Sequence, residues 1–494
     1  MVDQASINAL RHRSIAPQGL FIDGAWQPGS GEVLEVESPI DGQILTTIAR
    51  ASAADAERAV AAARAAFDDG RWSRMAPAGR KKVLHRLADL IEQHALELAV
   101  LGVRDNGTEI AMALKAEPGS AAGTFRYYAE ALDKVYGEIA PTDPGFLGLI
   151  HREPVGVVGA IVPWNFPLMI GAWKLAPALA MGNSVVLKPA ETASLSLLKL
   201  AELAAEAGLP DGVLNVVTGQ GSVVGEAIAL SMEVDMLVFT GSGGVGRRLL
   251  EYSARSNMKR CYLELGGKSP NLVFADAPDL DEAARVSAMG IFRNSGQVCV
   301  SGSRLLVEDS IHDDFVAAVA RHAAALRVGD PLDLGTEMGA VNSRAQLEGN
   351  LGFVDSARAE GSTIYAGGNR ILEESGGYYM QPTIVTGVKP HDRLAQEEVF
   401  GPVLGVLPFR DEEEAVAIAN NSVYGLAGGV WTSDLGRAHR MIRAIRSGVI
   451  HVNTYGGPDN TVPLGGVRQS GNGHDKSLHA LEKFTDLKTA WIRL

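Results

Sequence analysis

The spacing of apolar residues divides this chain into three regimes. Between Ser52 and Leu98 the spacing is helical. Ser52 and Asp55 have the separation of a capping box, with Asp in place of Glu or Gln. They predict an alanine-rich helix that ends near Gly70. A second helix is predicted from about Arg80, with apolar residues at 83, 84, 87, 90, 91 and 98, a 3.6-residue stripe suited to core packing. From about Val155 short apolar runs alternate with helical stretches: GVVGAIV, SVVLK, a helix over 195–207, VLNVV, a helix over 223–230, MLVF, a helix from about Val245, then YLEL. The same rhythm returns from Asn271 to about Phe409, with NLVF and RLLVE as strands. Strands alternating with helices across short loops predict βαβ units and parallel sheets, hence two α/β lobes. Residues 1–17 read as a loose terminus. The stretch 134–150 and the chain after Gly473 break the rhythm and read as extended and partly apolar.

Composition narrows the function. Apolar residues make up 46% and charged residues 21%, which is ordinary for a globular protein of two or three domains. The formal net charge is −13, which disfavours a nucleic-acid partner, since a polyanion needs clustered positive charge. Arg80-Lys81-Lys82 and Arg247-Arg248 suit solvated helix faces. Two cysteines, Cys261 and Cys299, exclude a disulfide framework and suit a reducing compartment. The first residues lack an apolar run behind a basic one, and no run of 18 apolar residues occurs. The expectation is therefore a cytoplasmic protein without a membrane span, and no metal-ligand cluster is expected.

Two glycine-marked motifs carry the candidate chemistry: YLELGGKSP, with Glu264, and FRNSGQVCVSGSR, with Cys299. A cysteine nucleophile with a separate carboxylate base can form an acyl intermediate and then hydrolyse it. Cys261, before an apolar strand, reads as an inert buried thiol. FTGSGGVG contains a G-x-G-x-x-G of Gly241, Gly243 and Gly246 between a strand and a helix, the setting of a dinucleotide fingerprint. Glu264 falls close to where that fingerprint wants a ribose-binding acid, so by spacing alone it belongs to a cofactor.

PWNFP (163–167), KPAE (188–191), FTGSGGVG (239–246), the Glu264 and Cys299 motifs, EEVFGP (397–402) and the tail from Pro463 resemble the aldehyde dehydrogenase superfamily in that family's own order. The resemblance runs from about Phe21 to the end. It implies a two-lobed α/β fold with a parallel-sheet, Rossmann-type cofactor domain (18–133 and 151–263). It also implies an α/β catalytic domain (264–465) and a small β oligomerisation arm (134–150 and 466–494), in a homodimer or homotetramer. It implies oxidation of an aldehyde to an acid through a Cys299 thioester, with Glu264 as the base for water. Asn165 and the Cys299 backbone N–H would hold the oxyanion, and Lys174 would support proton movement. An acylating enzyme that passes the thioester to coenzyme A is the alternative in the same class, but such enzymes generally lack the base. An idle binding protein on this fold is the alternative from another.

For the cofactor, the resemblance assigns the adenosine ribose to Glu191 rather than to Glu264, beside Lys188. It assigns the nicotinamide ribose to Glu398 and packing at that end to Phe400. Ile161, Pro163, Trp164, Gly221, Gly241, Ser242, Gly246 and Leu265 complete the implied set. Gly243 stands where the family usually has Thr, which loosens the loop. A 2′-phosphate beside Glu191 would be repelled, by roughly 4 kcal/mol at about 4 Å and an effective dielectric of about 20. NAD is therefore expected over NADP, with Lys188 leaving room for some NADP.

The tail from Ser470, with SNMKR (256–260) and RYYAEALDKVYGE (126–138), resembles the branch that includes gamma-glutamyl-gamma-aminobutyraldehyde and guanidinobutyraldehyde dehydrogenases. The implied tunnel residues are Phe166, Met169, Ile170, Trp173, Phe292 and Val298. The loop YGGPDNTVPLGG (455–466) departs from that branch. Asp459 is its main remaining partner for a cationic substrate end, and Leu464 replaces a phenylalanine and widens the tunnel. The expected substrate is a medium-to-bulky or amine-derived aldehyde (omega-amino or gamma-glutamylamino).

Overall fold

The computed structural model describes residues 2–457 and 459–494. Two large sheets organise it. In the first, parallel strands run Leu214–Val216, Ser184–Lys188, Val157–Ile161, Met236–Thr240 and Arg260–Glu264 in spatial order. Val157–Ile161 and Ser184–Lys188 are buried at every position. Strands buried on both faces need a helical layer over each, which accounts for the near-continuous apolar runs in the sequence. The second sheet has seven strands, with Pro270–Val273 and Arg304–Glu308 adjacent near its centre. The short link Leu265–Ser269 joins the sheets, so the carboxyl end of the first meets the amino end of the second.

The carboxyl ends in the first sheet are aligned. Ile161 lies opposite Lys188 and Phe239, and Thr240 lies opposite Glu264. Chain order reverses direction between Val157–Ile161 and Met236–Thr240. Such a switch point opens a crevice where the loops diverge, the usual ligand site of open α/β sheets.

The helices follow the predicted pattern with three physical corrections. Residues 4–11 form a helix, not a loose terminus: Asp3 caps it, and Ile7 is fully buried in a cluster with Val103 and Leu332. The stripe from 83 to 98 belongs to two helices, Pro77–Gln93 and Ala95–Asn106, interrupted at His94. The helix expected over 223–230 opens with a wide turn, Gly221–Gly225, before Glu226–Leu230. The Ser52–Asp55 capping box forms as read and starts the helix Ala53–Asp68.

Thr485–Arg493 pairs antiparallel with Phe146–Pro154 over its whole length, and Glu138–Ala140 adds a third strand. This sheet continues beyond residue 150 to Pro154. Gly471–Asn472 instead pairs with Leu263–Glu264 at the edge of the first sheet. The tail therefore buttresses the strand that carries Glu264 before it reaches the arm.

Candidate active site

The Cys299 loop is an unusual piece of backbone. Asn294, Ser295 and Gly296 hold φ of 48°, 52° and 73° in succession. Left-handed non-glycine residues cost of order 1–3 kcal/mol each and need outside support. The support is on every side. The Asn294 amide donates to Glu109, and its side-chain oxygen accepts from Thr108 at 2.7 Å. Ser295 donates to the Gly339 carbonyl. Gln297 accepts from the Asn342 amide at 2.8 Å. A Cβ on Gly296 would stand 2.1 Å from the Gly401 carbonyl oxygen, so only glycine fits. The loop is thus clamped with Cys299 at its crest, partly exposed.

Asn165 is 3% exposed and donates one side-chain N–H to the Gln297 carbonyl at 2.8 Å. Its second N–H remains for a ligand. No backbone carbonyl accepts from the Cys299 amide among the described residues. Two donors are therefore available beside the sulfur, the arrangement that stabilises a developing oxyanion.

Glu264 ends its strand almost fully buried, and its Oε1 has no hydrogen-bond partner. Burial first, then the Asp475 carboxylate, push its carboxyl well above the usual range, while Lys174 and Lys483 oppose the shift. Lys174 pairs with Asp475, and Lys483 reaches the other Asp475 oxygen at 2.7 Å. All three are buried. The Lys174 partner was not legible in the sequence. Asp475 lies far along the chain, in a tail that gave only a branch resemblance. The Cys299 thiol is pushed up to about 12 by burial, then by Glu398 and Glu264.

Along the crevice, Lys188 and Glu191 form an ion pair at 3.0 Å, and Glu191 also accepts from the Gly221 amide at 2.7 Å. The Glu191 side chain stays 40% exposed, so it can meet a ligand hydroxyl. Ser242 caps the helix Gly243–Arg255. Gly246 packs so tightly on Leu265 that a Cβ would come within 2.9 Å of it. Thr240 Oγ1, between these groups and Glu264, is buried without a partner. Glu398 accepts from the Gly267 amide at 2.9 Å, and burial raises its carboxyl to about 7. The Phe400 ring meets Trp164 edge to face at 5.2 Å, with Phe400 itself at φ 56°. Ile161 and Pro163 enter the same loop. The crevice suits an extended, hydroxyl-bearing cofactor with an open helix N-terminus for phosphate.

A cavity of about 400 Å³ opens onto Cys299 from the other side. Phe166, Met169, Ile170, Trp173, Val298 and Leu464 line it. Phe292 does not: it is fully buried in the second lobe's core, and the residue after it, Arg293, takes the wall position. Asp459 does not line the cavity either. It is exposed and accepts from the Thr461 amide and hydroxyl at 2.7 Å. Its neighbour Pro458 lies outside the described residues. Sequence reasoning missed Arg293 and Lys476. Arg293 stands inside the quoted cysteine motif, and its charge was the signal to follow.

The fold and site are those of a dinucleotide-dependent oxidoreductase with a free cysteine at the mouth of its cavity. The profile of the aldehyde dehydrogenase family matches residues 26–490, and the chain belongs to that family. It is 51% identical to the NADP/NAD-dependent aldehyde dehydrogenase PuuC of Escherichia coli K12, over 96% of this chain and 95% of that one. The crystal structure of an indole-3-acetaldehyde dehydrogenase complexed with NAD+ superposes with a TM-score of 0.98 at 50% identity, covering 100% of both chains. Gamma-glutamyl-gamma-aminobutyraldehyde dehydrogenase from Burkholderia cenocepacia J2315 gives 0.97 at 48%, also covering 100% of both. The protein is an NAD-dependent oxidoreductase acting on aldehydes. No helix among the described residues is long and apolar enough to cross a membrane.

Proposed function

We propose that Cys299 is the nucleophile and Glu264 the hydrolytic base in the oxidation of a medium-to-bulky aldehyde, amine-derived ones included. The Cys299 thiol gives up its proton to solvent as the sulfur attacks the aldehyde carbon, and the carbonyl oxygen takes up the negative charge. The free Asn165 N–H and the Cys299 amide receive that charge, and losing one such donor typically costs about 100- to 1,000-fold in turnover. Bound NAD supplies the hydride acceptor that leaves a thioester on Cys299. Glu264 then removes a proton from water as it attacks the thioester carbon. The C–S bond breaks, the acid departs and the thiol is restored. Lys174, bound to Asp475, helps set the charge around Glu264 and supports its proton exchange.

One observation carries this reading. A free Cys299 at the crest of a clamped loop lines an apolar cavity, and the strand end that leads to that region carries a buried Glu264 whose Oε1 has no partner. Glu191 favours NAD over NADP, and Glu398, Phe400, Trp164, Ser242 and Gly221 serve the cofactor. Residues 18–133 with 151–263 act as the cofactor unit and 264–465 as the catalytic unit. The segments 134–150 and 466–494 join copies into a homodimer or homotetramer, in the cytoplasm. The support for assembly is an edge strand, Thr485–Arg493, with Leu487 and Trp491 62% and 66% exposed.

NADH formation at 340 nm tests the reading, with wild type and Cys299→Ala over short, long, aromatic and omega-amino aldehydes. Wild type is expected to turn over longer aldehydes and the variant none. Full turnover by Cys299→Ala, or acetaldehyde far ahead of every longer aldehyde, would overturn it.

A further inference from the structure

The cavity at Cys299 holds positive charge that the chemistry above does not use. Arg293 reaches its wall, yet among the described residues the guanidinium makes no hydrogen bond or ion pair, and its Nε is buried without a partner. A Cβ on Gly456 would stand 3.3 Å from the Arg293 Nη1, so the glycine loop makes room for this side chain. Lys476 lines the same cavity at 6% exposure. Its ammonium faces the Trp173 ring at 5.7 Å and also makes no ion pair among the described residues. Lys476 and Ser477 hold φ of 65° and 53°, a strained pair placing the lysine there.

Among the described residues no acidic one lines the cavity. Acids do face these cations from behind, but among the described residues none comes within ion-pair distance of them, the unpartnered Glu109 Oε2 included. Glu109, toward Arg293, accepts from the Asn294 amide and is raised to about 7 by burial. Asp475, toward Lys476, is bound by Lys174 and Lys483. Asp459, on the same side, is bound by Thr461. Tyr455 and Cys299, the other groups facing Arg293, are both held neutral at pH 7. Arginine and lysine are seldom buried unpaired, because desolvation without compensation is costly. An anionic ligand group would supply that compensation, and a guanidinium suits a planar carboxylate through paired N–H donors.

We infer that this site selects aldehydes whose far end carries a carboxylate, received by Arg293 with Lys476 alongside. The inference rests on the cavity being the aldehyde site. It separates two groups that amine origin lumps together. A gamma-glutamylamino aldehyde carries a carboxylate beside its ammonium and so brings a partner for Arg293, whereas a bare omega-ammonium aldehyde brings only like charge.

The test compares kcat/KM for 6-oxohexanoate with its neutral isostere 6-oxohexanamide, and 4-formylbenzoate with 4-formylbenzamide, with hexanal as reference. Wild type is expected to prefer the acid in at least one pair by roughly tenfold or more, about one charge-assisted hydrogen bond, mainly through KM. The preference should collapse toward parity in Arg293→Gln, shrink in Lys476→Met, and survive in part in Arg293→Lys. Melting curves verify folding, and Lys476→Met with Arg293→Lys keeps the test open if Arg293→Gln does not fold. Hexanal turnover with no acid preference, or a preference unchanged in every folded variant, overturns the inference alone. No turnover of any aldehyde by wild type overturns the underlying site reading.

Discussion

Replacing Glu264 by Gln separates the two halves of the proposed reaction. The exchange is nearly isosteric, and Oε1 makes no hydrogen bond that could be lost. It removes a buried carboxyl whose charge is disfavoured by burial and by Asp475. Stability should therefore hold or rise, most clearly at alkaline pH, where the wild-type carboxyl must ionise inside the protein. A positioned general base contributes about 100- to 10,000-fold, equal to roughly 3–5 kcal/mol of barrier, so steady-state turnover should fall by that factor. Thioester formation should not fall, because Glu264 is one of the charges that raise the Cys299 thiol. Stopped-flow absorbance at 340 nm reads both stages. The expected record is a burst of about one NADH per site, as fast as wild type or faster, followed by a nearly flat phase. In wild type, the limb that depends on Glu264 should rise with pH, since the ionised form is the base. Loss of the burst in Glu264→Gln would refute the reasoning, because the carboxylate would then be needed to form the thioester.

Four further outcomes follow from the geometry. Burial raises Glu398 and Glu109 to about 7 and Asp105 and Glu117 to about 8, so between pH 5 and 7 the folded chain holds protons that the unfolded chain has released. Stability should fall with rising pH across that window, by up to about 3 kcal/mol from Glu398 alone, and Glu398→Gln should flatten the slope in denaturant titrations. The slope is read below pH 7 because Lys268, lowered to about 7 by burial, acts in the opposite sense above it. Glu191→Gln should raise NADP use relative to NAD by about fivefold, a modest figure because solvent screens a carboxylate that is 40% exposed. Gly296→Ala should cost about 2 kcal/mol or more and most of the activity, since its Cβ would meet the Gly401 carbonyl at 2.1 Å; an unchanged melting temperature would contradict this. Deleting residues 485–494 should shift the mass by light scattering toward the monomer, and an unchanged mass would count against the arm.

The sequence by itself determined the two α/β lobes, the capping box at Ser52 and the motifs that hold Cys299, Glu264, Asn165 and Glu191. These are local signals: apolar period, glycine placement and short runs whose residues act on neighbouring backbone. The interruption at His94 and the helix at 4–11 escaped because neither rests on a strong local pattern. The terminal helix is held by Ile7 packing on distant Val103 and Leu332. Tertiary structure alone decided the exceptions at the cavity wall. Phe292 and Arg293 are adjacent in the same motif, yet the left-handed turn at Asn294–Gly296 follows a core phenylalanine and an arginine in the wall. The exposed Asp459, turned to Thr461, and the buried Lys476, turned into the site, are a second such case. The union of Lys174, Asp475 and Lys483 beside Glu264 is a third, since a charge cluster drawn from two distant segments exists only once the tail has folded against the first sheet.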